Sequence, residues 1–292
     1  MLRPFPTKLL VLCAFLIFIA RAYQFYFFGA PFRAIFWDES LLSPIVEGVF
    51  NYNWYDYATS QTTNIWIVKL TKSCSVLFLI SGCLCLFWEN IKWIRLKKII
   101  LGTSIFFLVF LGICMVKDKN YDILQFFELS IQIIVPLILY LHPDLSKINP
   151  NTLELWLKIS IVLTFVPHGL FAMGLIYVPG HFIDMTIKII GFTETQSLHF
   201  LYLVGFLDLL ISVLIFIPKI AKYAVGYAMF WGFLTAFARL VSGFNADFFW
   251  PSIHNYTYLV VFRLPHGLIP LIIYLRLPQT QILTKKSVLH DN

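Results

Sequence analysis

Residues Ser197–Ile217 read SLHFLYLVGFLDLLISVLIFI, an apolar run interrupted by a single acid, Asp208. A helix needs about 20 such residues to cross ~30 Å of hydrocarbon. A membrane-spanning strand would take about 9–11 residues of alternating polarity, and this stretch does not alternate. Seven further runs share its character, some of them shorter: roughly Leu9–Phe28, Ser73–Trp88, Ile99–Val116, Gln125–Leu141, Lys158–Tyr177, Tyr223–Val241 and Tyr258–Leu275. The fold class that follows is all-α, a polytopic integral membrane helical bundle of eight transmembrane helices.

Composition points the same way. Of 292 residues, 59% are hydrophobic and 13% charged, where a soluble domain carries about 25% charged residues. So little charge cannot cover a water-soluble globule, which excludes a soluble enzyme, a disordered chain and a disulfide scaffold. The net charge of +7 is not a nucleic-acid signature, because the basic residues form no single patch. They alternate between loops instead. With the N-terminus in the cytoplasm, the inner segments hold Arg3, Lys8, Lys92, Arg95, Lys97, Lys98, Lys147, Lys158, Lys219, Lys222, Arg276, Lys285 and Lys286. The outer segments hold only Arg33, Lys117, Lys119 and Lys188. Such a bias places both termini in the cytoplasm, and the expected location is the bacterial inner (plasma) membrane. Ala20-Arg21-Ala22 resembles a signal cleavage site, but Tyr23–Phe28 extend the apolar run to spanning length, so the first helix is expected to be retained. All five cysteines fall in apolar runs without a CxxC pair and read as small packing residues.

Two outer segments stand apart. Gly29–Asn64 is aromatic and acidic, and Val178–Gln196 repeats apolar residues at helical intervals, as in Phe182, Met185 and Ile189. Both predict short helices lying in the interface with their apolar faces in the headgroups.

Val135-Pro136-Leu137-Ile138-Leu139-Tyr140-Leu141 is matched by Ile269-Pro270-Leu271-Ile272-Ile273-Tyr274-Leu275, and each is soon followed by a proline, Pro143 or Pro278. Each copy ends the fourth span of a half. The expected organisation is two four-helix units, 1–145 and 146–277, followed by a cytoplasmic tail, 278–292. Since four is even, the units run in the same direction, as a parallel repeat. Pro-His-Gly also occurs twice, at Pro167-His168-Gly169 and Pro265-His266-Gly267. There a proline frees a backbone carbonyl and a glycine allows close approach beside an imidazole.

Ionisable side chains inside spans are costly and are functional candidates by default. Arg21, Glu128, Asp208, Arg239 and Arg263 qualify, joined by Gln24, Gln132, His168 and His266. At 1.5 Å per residue, Glu128 and Arg239 lie roughly 5 Å below the outer surface, Asp208 roughly 16 Å, and the rest between them. All belong to the outer half or the middle, and only bundle folding can gather them. Buried charges need partners, so Asp208 is expected to meet Arg239 or Arg263, and Glu128 to meet Arg21 or Arg263. The candidate ligand-binding set is Arg21, Glu128, Gln132, His168, Asp208, Arg239, Arg263 and His266. The competing reading is a closed set of contacts that locks the bundle. No metal site is expected, since His181 and Asp184 lack an assured third ligand. No nucleotide, zinc-protease or hydrolase motif occurs.

His168-Gly169-Leu170-Phe171-Ala172-Met173-Gly174, His181-Phe182-Ile183-Asp184 and Gly205-Phe206-Leu207-Asp208-Leu209-Leu210 carry a resemblance to the DoxX-like four-helix membrane proteins. It covers chiefly Ser146–Leu277. Some DoxX-like proteins are subunits of quinone-linked oxidoreductases, so the resemblance implies a quinone or lipid-like ligand and a membrane subunit of a redox system. A more distant similarity is to the transmembrane domain shared with the vitamin K-dependent gamma-carboxylase, although this chain lacks that family's large β-rich domain. No redox centre is encoded, and a flavin- or haem-bearing partner protein would have to supply one. Membrane lipids, a redox partner or an oligomer are the expected partners, and nucleic acid is not. In this reading His168 and His266 hydrogen-bond a carbonyl or relay protons, Arg263 neutralises developing negative charge and Asp208 orients the arginine. The alternatives are a small-molecule transporter, which the apolar inner halves argue against, and a structural or assembly subunit.

Overall fold

The computed structural model of the chain describes residues 6–277, so Arg3, Pro278, Lys285, Lys286 and the expected tail lie outside the described residues. Within them all regular structure is helical. The first half comprises α1 (Thr7–Phe27), the short helices α2 (Arg33–Phe36), α3 (Glu39–Gly48) and α4 (Trp54–Thr59), then α5 (Gln61–Leu86), α6 (Ile94–Asp118), α7 (Leu124–Phe127) and α8 (Ser130–Leu141). The second comprises α9 (Pro150–Ala172), α10 (Gly180–Ile190), α11 (Glu194–Leu214), α12 (Ala221–Gly243), α13 (Phe249–Val261) and α14 (Pro265–Arg276). Seven helices are long and apolar enough to cross a membrane, counting Ala246–Arg276, which includes α13 and α14, as one. The helix α8 is a shorter apolar one of 12 residues. The chain therefore has the character of a multi-pass integral membrane protein.

Local chemistry sets the helix ends. Asn149 caps α9 by accepting the Asn151 and Thr152 N–H groups, with Pro150 at the first turn. Thr193 and Gln196 form a reciprocal capping box on α11. Gly191, at φ 80°, closes α10 in the left-handed conformation that glycine adopts without steric cost. Ser60 caps α5 far ahead of the expected second span, which read Ser73–Trp88. The polar turn Gln61–Asn64 joins that helix because its cap lies before it, and hydropathy alone does not see this.

The chain closes both ends of the bundle with polar contacts. At the end bearing α2–α4 and α10, Lys117 pairs with Asp38 at 2.5 Å, Tyr177 donates to Asp122 at 3.3 Å, and Tyr23 meets His254 at 2.5 Å. At the opposite end Arg276 donates to Asn151 at 2.8 Å and to the Pro150 carbonyl, and Lys97 donates to the Trp88 carbonyl at 2.8 Å. The apolar core between them runs through α1, α5, α6, α8, α9 and α14.

The two halves match in detail. Each runs from a long helix through an interfacial segment and two long helices to a broken one. In both, the first long helix packs on the second, and it also packs on the last helix of the other half. The break falls at aligned positions. Glu128 donates to the Leu124 carbonyl and Leu129 to Phe126; Phe262 donates to Tyr258 and Arg263 to Val260. The motif tyrosines are seated alike: a Cβ at Gly102 would lie 3.2 Å from the Tyr140 ring, and one at Gly226 would lie 3.6 Å from the Tyr274 ring. Lys98 lies 5.7 Å from the Tyr140 centroid and Lys222 lies 5.3 Å from that of Tyr274.

Candidate functional site

Two close helix contacts shape the site. A Cβ on Gly169 of α9 would fall 2.8 Å from the Gly205 carbonyl of α11, and one on Gly205 would fall 2.7 Å from that of Gly169. Gly267 leaves room for the Phe233 ring, and Gly232 for the His266 carbonyl. Small residues let backbones approach to this degree. Both Pro-His-Gly glycines thus serve as packing points, and each holds its neighbouring histidine at a fixed level. The two prolines differ in effect. The helix α9 continues through Pro167, whereas Pro265 opens α14 after the break.

Between α9, α11, α12 and the start of α14, with α10 above, lies a cavity of about 350 Å³. Phe165, Phe200, Leu201, Val204 and Trp231 give it apolar walls. His168, Asp208, Arg239, Arg263 and His266 also line it. Five of the eight candidates therefore converge on one space, from α9, α11, α12, the turn that precedes α14, and α14 itself. The helix α10 turns Phe182, Met185, Thr186 and Ile189 onto the cavity. This corrects the expectation that the Phe182–Met185–Ile189 face lies in the headgroups. Of the two outer segments only the second borders the cavity, since no residue of α2–α4 lines it. Leu41 and Ile45 of α3 are exposed, as an interfacial helix requires.

Arg21, Gln132 and Glu128 lie beside the cavity rather than on it. Arg21, buried in α1, donates through Nε to Gln132 Oε1 at 2.8 Å and through Nη1 to Gln24 at 2.5 Å, and stands 4.2 Å over the Phe262 ring. Glu128 meets His168 Nδ1 at 3.4 Å. It does not pair directly with Arg21 or Arg263, although Arg263 and Arg239 lie within its electrostatic reach. His168 and His266 have ring centroids 6.3 Å apart, and His266 Nδ1 lies 3.0 Å from the Arg263 carbonyl.

The expected ion pair of Asp208 with Arg239 or Arg263 is not formed. Asp208 is 3% exposed, lies beside the Trp231 indole and leaves Oδ1 without a partner. The reason is register: Trp231 and Arg239 are separated by about 12 Å along α12. Trp231 was not among the candidates. The signal for it was a tryptophan in mid-span, away from the interfacial belts, where a buried indole N–H needs an acceptor. Arg239 has a sealed Nε without a partner, and its guanidinium makes no hydrogen bond or ion pair among the described residues. Arg263 reaches the Leu259 carbonyl at 3.4 Å and the Phe262 ring at 4.5 Å.

Protein packed around its ring, then the positive charges of Arg239 and Arg263, push the His181 imidazole on α10 down to about 4. Positive potential therefore reaches the rim of the site. Among the described residues no group of three histidine, cysteine or acidic side chains is placed to hold a metal ion. Comparison with protein-family models, curated proteins and solved structures returns no match to this chain.

Proposed function

We propose that this chain is an eight-span membrane protein with both termini in the cytoplasm, built from two DoxX-like units, 1–145 and 146–277, in a bacterial inner membrane. Its second unit binds a quinone- or lipid-like amphiphile in the cavity beneath α10. The observation that carries this reading is the cavity itself: apolar walls, with the guanidinium groups of Arg239 and Arg263 on its lining. Burying a polar group without a hydrogen bond costs about 1–3 kcal/mol. On this cavity the Arg239 guanidinium has no hydrogen bond or ion pair among the described residues, which a ligand explains better than packing does. For a quinone, Arg239 and Arg263 are the donors available to its carbonyl oxygens, since His266 Nδ1 is taken by the Arg263 carbonyl and His168 Nδ1 faces Glu128, and a partner protein supplies electrons.

The count of eight is supported by α7 and α8, which together rise about 27 Å at 1.5 Å per residue. Duplication is supported by the aligned helix breaks and the matched Gly–Tyr seats. The structural-lock reading fits the first unit, where Arg21, Gln24 and Gln132 close on one another.

The test is extraction and mass spectrometry of lipids held by the purified chain. Wild type should retain a bound amphiphile in stoichiometric amount. Arg263→Ala with wild-type helicity should lose it. A wild-type protein that carries none in excess of bulk lipid overturns the reading.

A further inference from the structure

The rim and the polar end of this cavity narrow the ligand further. At its edge the exposed residues are Ile189 and Ile190 of α10 and Leu234, Phe237 and Val241 of α12, with exposures of 42–59%. All five are apolar, and apolar side chains so exposed in a membrane protein face hydrocarbon rather than water. The gap between α10 and α12 is therefore an opening toward lipid.

Inside it, two cations are under-used. The Arg239 guanidinium has neither hydrogen bond nor ion pair among the described residues, and Arg263 has one long contact to a carbonyl and an aromatic face. Glu128, the carboxylate in electrostatic reach of both, is turned to His168. A guanidinium fork matches a carboxylate or phosphate through parallel hydrogen bonds. A neutral carbonyl would leave much of that capacity unmet. The volume, about 350 Å³, sits at the low end for a site that holds one small ligand.

We propose that the ligand is a single-chain anionic amphiphile drawn from the bilayer, its carboxylate or phosphate head held by Arg239 and Arg263 and its chain lying between α11 and α12. This rests on the cavity being the ligand site.

The test uses the full chain in phosphatidylcholine nanodiscs, with binding read from thermal stabilisation across a ligand dilution series. The probes are dodecanoate, dodecyl phosphate, dodecanol, a short-chain ubiquinone analogue, acetate and inorganic phosphate. Dodecanoate and dodecyl phosphate should bind at least about tenfold tighter than dodecanol. Arg239→Gln should abolish that preference and Arg239→Lys should largely keep it. Acetate and inorganic phosphate should not bind. Equal binding of acid and alcohol, or a preference that survives Arg239→Gln, overturns the head-group assignment. If dodecanol or the quinone analogue still binds and Val204→Trp removes it, the cavity reading survives that failure. Binding of acetate or inorganic phosphate as tight as that of dodecanoate overturns the bilayer origin. Absence of binding by every probe overturns the cavity reading itself.

Discussion

The two halves share an order of helices and differ in what fills the space beneath the interfacial segment. In the first, α2 lies against α6, and Phe32 and Phe36 enter the bundle. Phe32 is fully buried, with ring centroids 5.7 Å from Phe25 and 5.1 Å from Phe110, and Phe36 lies 4.9 Å from Trp66. In the second, α10 lies against α12 in the same manner, yet about 350 Å³ stays open beneath it. The polar residues follow the same division. Arg21 meets Gln132 in its own half and Phe262 in the other, while His168 faces His266 in its own half and Glu128 in the other. Gln132 and His266 align, and so do Glu128 and Phe262. One scaffold thus carries a plugged, hydrogen-bonded version of the site and an open one.

The largest expected effect separates plug from roof. Phe32→Ala removes a fully packed ring from a close-fitting aromatic cluster and should cost about 3–5 kcal/mol. Phe182→Ala trims a ring that already borders open space and should cost less than about 1.5 kcal/mol. Thermal unfolding of the two variants in one detergent measures the contrast. Equal losses would mean that the halves are packed alike and that the comparison is mistaken.

A smaller effect separates the two polar versions. Gln132→Leu leaves the Arg21 Nε donor buried without its acceptor, which should cost about 1–3 kcal/mol. Glu128→Gln keeps an amide oxygen that can still accept from His168 across the 3.4 Å contact and should stay within about 1 kcal/mol. The same unfolding assay reads both. A reversed order would place the lock in the second half and undo the assignment of the open site to it.

Much of this frame was legible in the sequence because hydropathy and helical spacing report lipid contact directly. The repeated Pro-Leu-Ile segment located the ends of both broken helices, and Pro-His-Gly located two glycine contacts. The filling of the two halves was not legible. Phe32 and Phe182 each stand in a short outer segment with apolar residues at helical intervals, and only tertiary placement sends Phe32 into the core and Phe182 to a cavity wall. The surroundings of Asp208 were not legible either, since a charge count offers it an arginine, whereas helix register sets it beside the indole of Trp231. The break at Glu128–Leu129 also escaped notice, since no proline or glycine marks it and Pro136 lies a full turn or more beyond it.

The finest expected effect reports the cationic potential of the open half from its rim. His181 should titrate at about 4, depressed from 6.5 by surrounding protein and by Arg239 and Arg263. A histidine whose folded value is depressed favours the folded state above its unfolded value. That contribution is lost as pH falls from about 6.5 toward about 4, because the unfolded chain takes up the proton first. Arg239→Gln removes one repelling charge and should move the imidazole upward, which narrows the acid-sensitive window. Ring-proton or ring-nitrogen resonances of His181, followed from neutral to acid pH in both proteins, give the answer. An unchanged midpoint in the variant would mean that Arg239 does not project its charge toward α10, and the open half would lose its claim to a cationic mouth.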